Sequence, residues 1–200
     1  EARAGLCRCC GVPREAAAGE VCRQCAAGEF DFAQARSFGA YEGVLREVLH
    51  LFKYQGMRPL ARPLARLLAS VFQREWSGAD FDALVAVPLA RQRQRERGYN
   101  QAELLARELS RLLPLPLLEG TSRRVRATAP QAGLTRAQRL ENVRGAFAPG
   151  PRAVLLADRS VLLIDDVMTT GATLSACSRV LLRSGARRVC ALTVARTLET

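Results

Sequence analysis

Two carboxylates, Asp165 and Asp166, stand side by side at the end of an apolar run, and the small polar stretch Thr169-Thr170-Gly171-Ala172-Thr173 follows closely. A loop of hydroxyls and glycine that opens a helix presents free backbone N–H groups and O–H donors, and these suit an anion, a phosphate above all. Carboxylates would repel that phosphate. Asp165 and Asp166 are therefore expected to face groups that welcome acceptors: the hydroxyls of a sugar, or a Mg2+ ion shared with other phosphates. A phosphorylated sugar satisfies both halves.

A second cluster lies near the start of the chain. Cys7-x-x-Cys10 and Cys22-x-x-Cys25 are separated by eleven residues that include Gly11, Pro13 and Gly19. Two such knuckles can supply four thiolates to one tetrahedral Zn2+. The segment has few apolar residues, so a metal is expected to supply most of its folding free energy. Disulfides are the alternative, disfavoured in an intracellular setting. Cys9 can replace Cys7 or Cys10 in the ligand set, whereas Cys177 and Cys190 sit in apolar patterns and read as small buried hydrophobes.

These groups need elements to hold them. Val161-Leu162-Leu163-Ile164 lacks alternation and reads as a strand buried on both faces, closed by the two acids. Leu174, Cys177, Val180 and Leu181 recur at helical spacing up to Gly185, and Val189 to Val194 gives a last buried strand, completing a right-handed β-α-β unit. Upstream, Ser37 to Tyr41 reads as a short strand, Gly43 to Phe52 as a helix ended by Lys53, Tyr54 and Gly56, and Pro59 to Trp76 as a second helix. His50, within the first of these, reads as a helix-surface residue with no catalytic partner.

Ala83 to Val87 is another buried strand, stopped by Pro88-Leu89, and its C-terminal end should share a rim with Asp165. Arg91 to Arg97, with four arginines in seven residues, reads as an anion-attracting loop. Asn100, with Glu103 three residues on, marks a capping box for a helix through Leu112. Residues 121–145 are arginine-rich and poor in large apolar groups, and they read as a mobile loop leading into a short helix that closes over a substrate. The organisation expected is a zinc-binding segment with four cysteine ligands over 1–34 and an α/β domain over 35–200, with a mostly parallel sheet flanked by helices.

Composition bounds the rest. The 200 residues carry a formal charge of +11 and are 48% hydrophobic, and of 30 basic residues only Lys53 is lysine. The charge favours a polyanionic or phosphorylated partner without choosing among them. No apolar run approaches the roughly 20 residues that span a bilayer, and no secretory pattern opens the chain, so a cytoplasmic location is expected. Gly-x-x-x-x-Gly-Lys-Ser/Thr and Gly-x-Gly-x-x-Gly are both missing, which argues against a P-loop or a dinucleotide fold.

Val161 to Thr173 resembles the phosphoribosyl pyrophosphate (PRPP) motif of type I phosphoribosyltransferases. Leu51-Phe52-Lys53-Tyr54-Gln55-Gly56, Val85-Ala86-Val87-Pro88-Leu89, Arg97-Gly98-Tyr99-Asn100-Gln101, Arg124 to Gln131 and Arg139 to Phe147, together with the knuckles, extend the resemblance to the ComF competence proteins, also called amidophosphoribosyltransferase-like. The resemblance implies a type I phosphoribosyltransferase fold with a small zinc-binding segment, cytoplasmic and acting in DNA uptake during natural transformation alongside a competence helicase. It implies that Asp165 and Asp166 contact the ribose hydroxyls and Mg2+, and that Thr169, Thr170, Gly171, Ala172 and Thr173 hold the 5′-phosphate. Val87, Pro88 and Leu89 would form the pyrophosphate loop, and Arg124, Arg126, Thr128 and Gln131 the flexible loop. One departure stands out: purine-salvage relatives place an Asp where this chain has Thr169, so a general base is missing there. The site is thus expected either to transfer phosphoribosyl to an amine or nucleobase, or to bind PRPP without turnover while arginine loops engage single-stranded DNA or a protein. Tyr54 and Tyr99 are the aromatic exceptions in an interface made chiefly of phosphate contacts.

Overall fold

The computed structural model describes residues 5–14, 19–126 and 136–198. In chain order these form a hairpin of β1 (Gly5–Leu6) and β2 (Pro13–Arg14), a one-turn helix α1 (Arg23–Ala26), strand β3 (Gln34–Ala40) and helix α2 (Gly43–Tyr54). A 3-10 turn at Arg58–Leu60 leads into α3 (Ala61–Trp76), followed by β4 (Ala83–Ala86), α4 (Arg91–Arg97) and α5 (Gln101–Leu109). Strands β5 (Ser122–Arg124) and β6 (Phe147–Pro149) flank α6 (Arg136–Val143), and β7 (Ser160–Met168), α7 (Ala172–Arg183) and β8 (Arg188–Arg196) complete the described chain.

Four strands lie side by side in the order β3-β8-β7-β4, all parallel. Parallel neighbours need crossovers, and helices on both faces bury the central strands from either side. Alternation along β7 shows the consequence. Leu162 and Ile164 pack with Leu49, Leu68 and Leu105 of α2, α3 and α5, whereas Val161 and Leu163 pack with Leu174 and Leu181 of α7. A run with no polar interruption is what a strand with two cores requires.

Several boundaries differ from the sequence reading, each for an identifiable reason. Strand β7 does not end at the acids: Asp165, Val167 and Met168 pair with Thr193, Ala195 and Arg196 of β8, so the ladder carries the strand to Met168. Strand β3 starts three residues earlier than expected, at Gln34, because β8 supplies partners from Cys190 onward. Arg91 to Arg97 is a helix and not a loop. Its arginine, glutamine and glutamate residues are good helix formers, Gln92 reaches Glu96 across one turn at 2.9 Å, and Gly98 ends it at φ 75°.

Asn100 caps α5 as expected, its Oδ1 accepting from the Ala102 N–H at 3.1 Å. Glu103 does not complete the box; it pairs with Arg107 at 2.8 Å, and the helix stops at Leu109. The 121–145 stretch begins as strand β5, which pairs antiparallel with β6 to make a small ribbon beside the main sheet. Thr128 and Gln131 lie outside the described residues.

Leu163 is wholly buried at the middle of β7. Leu163→Ala should lower unfolding free energy by about 2–5 kcal/mol in chemical denaturation with an unchanged denaturant slope; a loss below about 1 kcal/mol would mean that the strand is not held between two cores.

Candidate functional site

Strand geometry places the two acids. Successive side chains on β7 point to opposite faces, so Asp166 follows Ile164 toward α2 while Asp165 follows Leu163 toward the α7 side. The contacts agree with this parity. Lys53, in the last turn of α2, puts its Nζ 2.9 Å from Asp166 Oδ1, with side chains 17% and 11% exposed. Burial alone would push Lys53 toward losing its proton, but the charges of Asp166 and Asp165 outweigh it and hold the ammonium above its ordinary pKa. Asp165 is the odd member. Burial, then the neighbouring Asp166, pushes its carboxyl up to about 7, against the smaller opposing pull of Lys53, the Asp166 backbone N–H and Arg124.

These acids lie at the floor of a cavity of about 890 Å³. Val87, Pro88 and Leu89 line it from the end of β4, Arg93 and Arg97 from α4, Arg124 from β5, and Tyr41, Lys53 and Tyr54 from the β3–α2 side. Thr169 and Thr173 also line the cavity. Thr170, Gly171 and Ala172 are buried beneath them, with Gly171 capping α7 at φ 80°. Asn100 ties the rim together: while capping α5 it donates Nδ2–H to the Val87 carbonyl at 3.0 Å, fixing the turn that faces the acids.

The cysteine segment packs directly behind this loop. Sγ atoms of Cys7, Cys10, Cys22 and Cys25 all lie within 4.8 Å of one another, with Cys7–Cys25 at 3.8 Å and Cys10–Cys22 at 3.6 Å. A tetrahedron with metal–sulfur bonds of about 2.3 Å has edges of about 3.8 Å, so the donor set fits a tetrahedral metal ion. No two of the four sulfurs are bonded to each other, and Cys9 stands outside the four-sulfur group. The segment is less independent than its composition suggests. Cys7, Cys10 and Cys22 share a core with Phe32, Leu163, Met168 and Leu174, and Ala35 N–H donates to the Cys9 carbonyl at 2.7 Å. Phe30 covers Gly171 so closely that a Cβ there would meet its ring at 2.7 Å, and Asp31 accepts from Ser175 at 2.6 Å and from Arg179 at 2.9 Å on α7.

Residues 59–200 match the family described as the phosphoribosyl transferase domain. The chain belongs to the phosphoribosyltransferase family. It is 34% identical over 171 residues to Competence protein F of Haemophilus influenzae, covering 84% of this chain and 75% of that protein. It is 32% identical over 196 residues to the DNA utilization protein YhgH of Escherichia coli, covering 96% and 85%, and 30% identical over 186 residues to Competence protein ComFC of Bacillus subtilis, covering 90% and 72%. The cysteine cluster and Lys53 precede the matched phosphoribosyltransferase stretch.

Within this phosphoribosyltransferase domain the structure gathers Asp165, Asp166, Thr169, Thr173, Val87, Pro88, Leu89 and Arg124 around one cavity. Arg126 goes elsewhere, donating to the backbone carbonyls of Asn142 at 3.1 Å and Arg144 at 2.6 Å. Tyr99 is unsuited to stacking on a base: it is 6% exposed, and its hydroxyl donates to the Phe52 carbonyl. Tyr54 remains 61% exposed, with Arg97 over its ring. Cys177 is buried with its thiol pushed up to about 12, and Cys190 is buried likewise, as core residues should be. The sequence reading treats Lys53 as a helix end and misses its role at the floor. Its being the one lysine in an arginine-rich chain is the available signal.

The folded protein holds a proton on Asp165 up to about pH 7, whereas the unfolded chain releases it near 3.8. The folded state therefore binds more protons across that window, and this group's contribution to stability falls as pH rises through it. Asp165→Asn should raise the melting temperature of the ligand-free protein by a few degrees at about pH 8 and leave it nearly unchanged near pH 4. An effect equal at both pH values would place the carboxyl in an ordinary solvated state.

Proposed function

We propose that the chain binds PRPP, with the ribose over Asp165 and Asp166, the 5′-phosphate in the Thr169–Thr173 loop and the pyrophosphate toward Val87–Leu89 and the arginines of the rim. One observation carries this reading: acids at the floor and a small polar loop on the N-terminus of α7 face a strand-end turn across a single cavity. Neutral hydroxyls suit the acids, and anionic groups suit the loop and the arginines. A nucleophilic nitrogen attacking C1 would form the C–N bond as the C1–O bond breaks, the electron pair leaving with pyrophosphate and the nitrogen losing a proton. Arg93 and Arg124, on the cavity wall, are placed to steady that leaving charge.

Mg2+, common among phosphoribosyltransferases, supplies charge neutralisation on pyrophosphate oxygens when bound. The acidic pair fits such an ion poorly, since Asp166 already holds the Lys53 ammonium. Zn2+ at Cys7, Cys10, Cys22 and Cys25 is the structural metal of this reading, supported by the tetrahedral spacing of the four sulfurs.

The names of the relatives extend the reading to DNA uptake in natural transformation. Single-stranded DNA would meet the exposed arginines of α4 at the mouth of the cavity, with a competence helicase as partner. A cytoplasmic setting belongs to this reading, and no helix among the described residues is long and apolar enough to cross a membrane. A PRPP-binding module without turnover is the second reading, favoured by Thr169 where a carboxylate base would stand.

PRPP at a hundredfold excess over its Kd should stabilise the protein by about 2.7 kcal/mol, a shift on the order of 5–10 °C in melting temperature. The Asp165→Asn, Asp166→Asn double variant should show none; an unchanged shift in that variant would remove the ribose from the acids. Release of pyrophosphate from PRPP, screened against amines, nucleobases and DNA, separates turnover from binding alone. Protein purified without added metal should contain about one zinc per chain, lost in Cys22→Ser, and metal-free wild-type protein would overturn the zinc assignment.

A further inference from the structure

Lys53 comes from outside the stretch that matches the phosphoribosyltransferase family, yet its ammonium lies on one of the two acids at the cavity floor. Its side chain is 17% exposed, and its contact is a direct 2.9 Å ion pair. The rest of the chain uses arginine for every other cation, so a lysine here stands against the compositional trend. Chemistry supplies a reason: an ammonium is a compact point charge on a flexible stem, whereas a guanidinium is a broad planar fork. A compact charge can sit beside a carboxylate and leave the neighbouring space open to a ligand.

We infer that Lys53 fills the cation position at the acidic pair, so that the ribose subsite of this protein works without a divalent metal at Asp166. This inference rests on the phosphoribosyl reading for the identity of the sugar, but its metal-excluding part does not. A divalent ion on Asp166 must either stand beside the ammonium, two like charges in a largely buried place, or displace it and leave it there with its counter-charge taken. Ribose hydroxyls demand no such exchange. They are neutral donors and acceptors that can add to the free lone pairs of the two carboxylates while the ion pair stays intact. Tyr41 and Arg124, which also line the cavity near the acids, bring no second acidic group to share a metal with Asp165 and Asp166. Among the described residues, the further carboxylate in the cavity lining is Glu96 on α4, with Arg93 and Arg97. Lys53 is thus a positioning residue: it holds Asp166 as an oriented acceptor and does in charge what a divalent ion would otherwise do.

Mn2+, whose electron paramagnetic resonance signal separates free from bound ion, serves as the probe for a hard divalent cation, since it prefers oxygen ligands to the cysteine cluster. Without any sugar, wild-type protein and Asp166→Asn should bind Mn2+ alike, and Lys53→Met should gain one ion that is lost again in the Lys53→Met, Asp166→Asn double variant. A wild-type ion that disappears in Asp166→Asn overturns the inference, and that comparison stands even where Lys53→Met does not fold. Calorimetry with ribose 5-phosphate in metal-depleted buffer adds the second readout. Wild-type affinity should change less than twofold on adding Mg2+, Lys53→Arg should lose affinity, and Lys53→Met should lose at least tenfold and recover part of it when Mg2+ is added. A tenfold dependence of the wild type on Mg2+ contradicts the inference. Failure of ribose 5-phosphate to bind, with the Mn2+ pattern as expected, sinks the phosphoribosyl reading and supports the charge assignment of Lys53.

Discussion

Two adjacent carboxylates within the C-terminal half of a buried parallel strand set the main constraint on this molecule. Desolvation opposes their charge, and each opposes the other. The strand resolves part of this by geometry, since alternate side chains face different helix layers. Asp166 is turned toward α2 and meets Lys53; Asp165 is turned toward the α7 side and, among the described residues, forms no ion pair of that kind. The result is one compensated acid and one that keeps its proton to about 7. Removing one partner of a buried ion pair typically costs about 3–5 kcal/mol, so α2 is locked to the sheet at the floor of the cavity.

The phosphate side of the site is braced from behind. Gly171 takes a left-handed conformation that begins α7, and Phe30 lies against it with no room for a side chain. Phe30 stacks on Phe32 at 4.8 Å, and Asp31 between them grips Ser175 and Arg179. The segment that carries these three residues leaves the cysteine cluster only a few positions earlier, after Cys25. The cysteine segment also hands the backbone carbonyls of Cys9 and Cys10 to Arg36 and Arg196, which stand on the two strands β3 and β8. A metal there would stabilise more than a peripheral knuckle, because the same backbone fixes the position of the loop proposed to receive a phosphate.

Much of this is legible in the sequence, and the pattern of what is not is physical. Buried strands and amphipathic helices declare themselves through apolar spacing, so β4, β7, β8, α2, α3 and α7 can be placed to within a few residues. Cys-x-x-Cys pairs and the Asp-Asp and Thr-Thr-Gly-Ala-Thr stretches carry their chemistry in local order. What local order does not carry is pairing across the fold. Nothing near Asp165 and Asp166 announces Lys53, more than a hundred positions earlier, because the pair exists only once α2 has packed on the sheet. Tyr99 reads as a surface ring beside arginines and is instead a buried anchor to Phe52. Arg91 to Arg97 reads as a loop when its charge is weighed more heavily than its helix propensity.

The distribution of charge also bears on how an anionic sugar would enter. The rim carries Arg93, Arg97 and Arg124, while the floor carries an ion pair and an acid that holds its proton near neutral pH. A polyphosphorylated ligand is drawn toward the rim over a distance set by screening, about 8 Å at physiological salt. At the floor the attraction ends, and short-range hydrogen bonding takes over. Had both acids been ionised and uncompensated, their field would have opposed the approach of the phosphates that the rim attracts. On the proposed reading Lys53 would matter before binding as well as after it: by cancelling the charge of Asp166, it would let a strongly anionic ligand come down to a floor made of carboxylates.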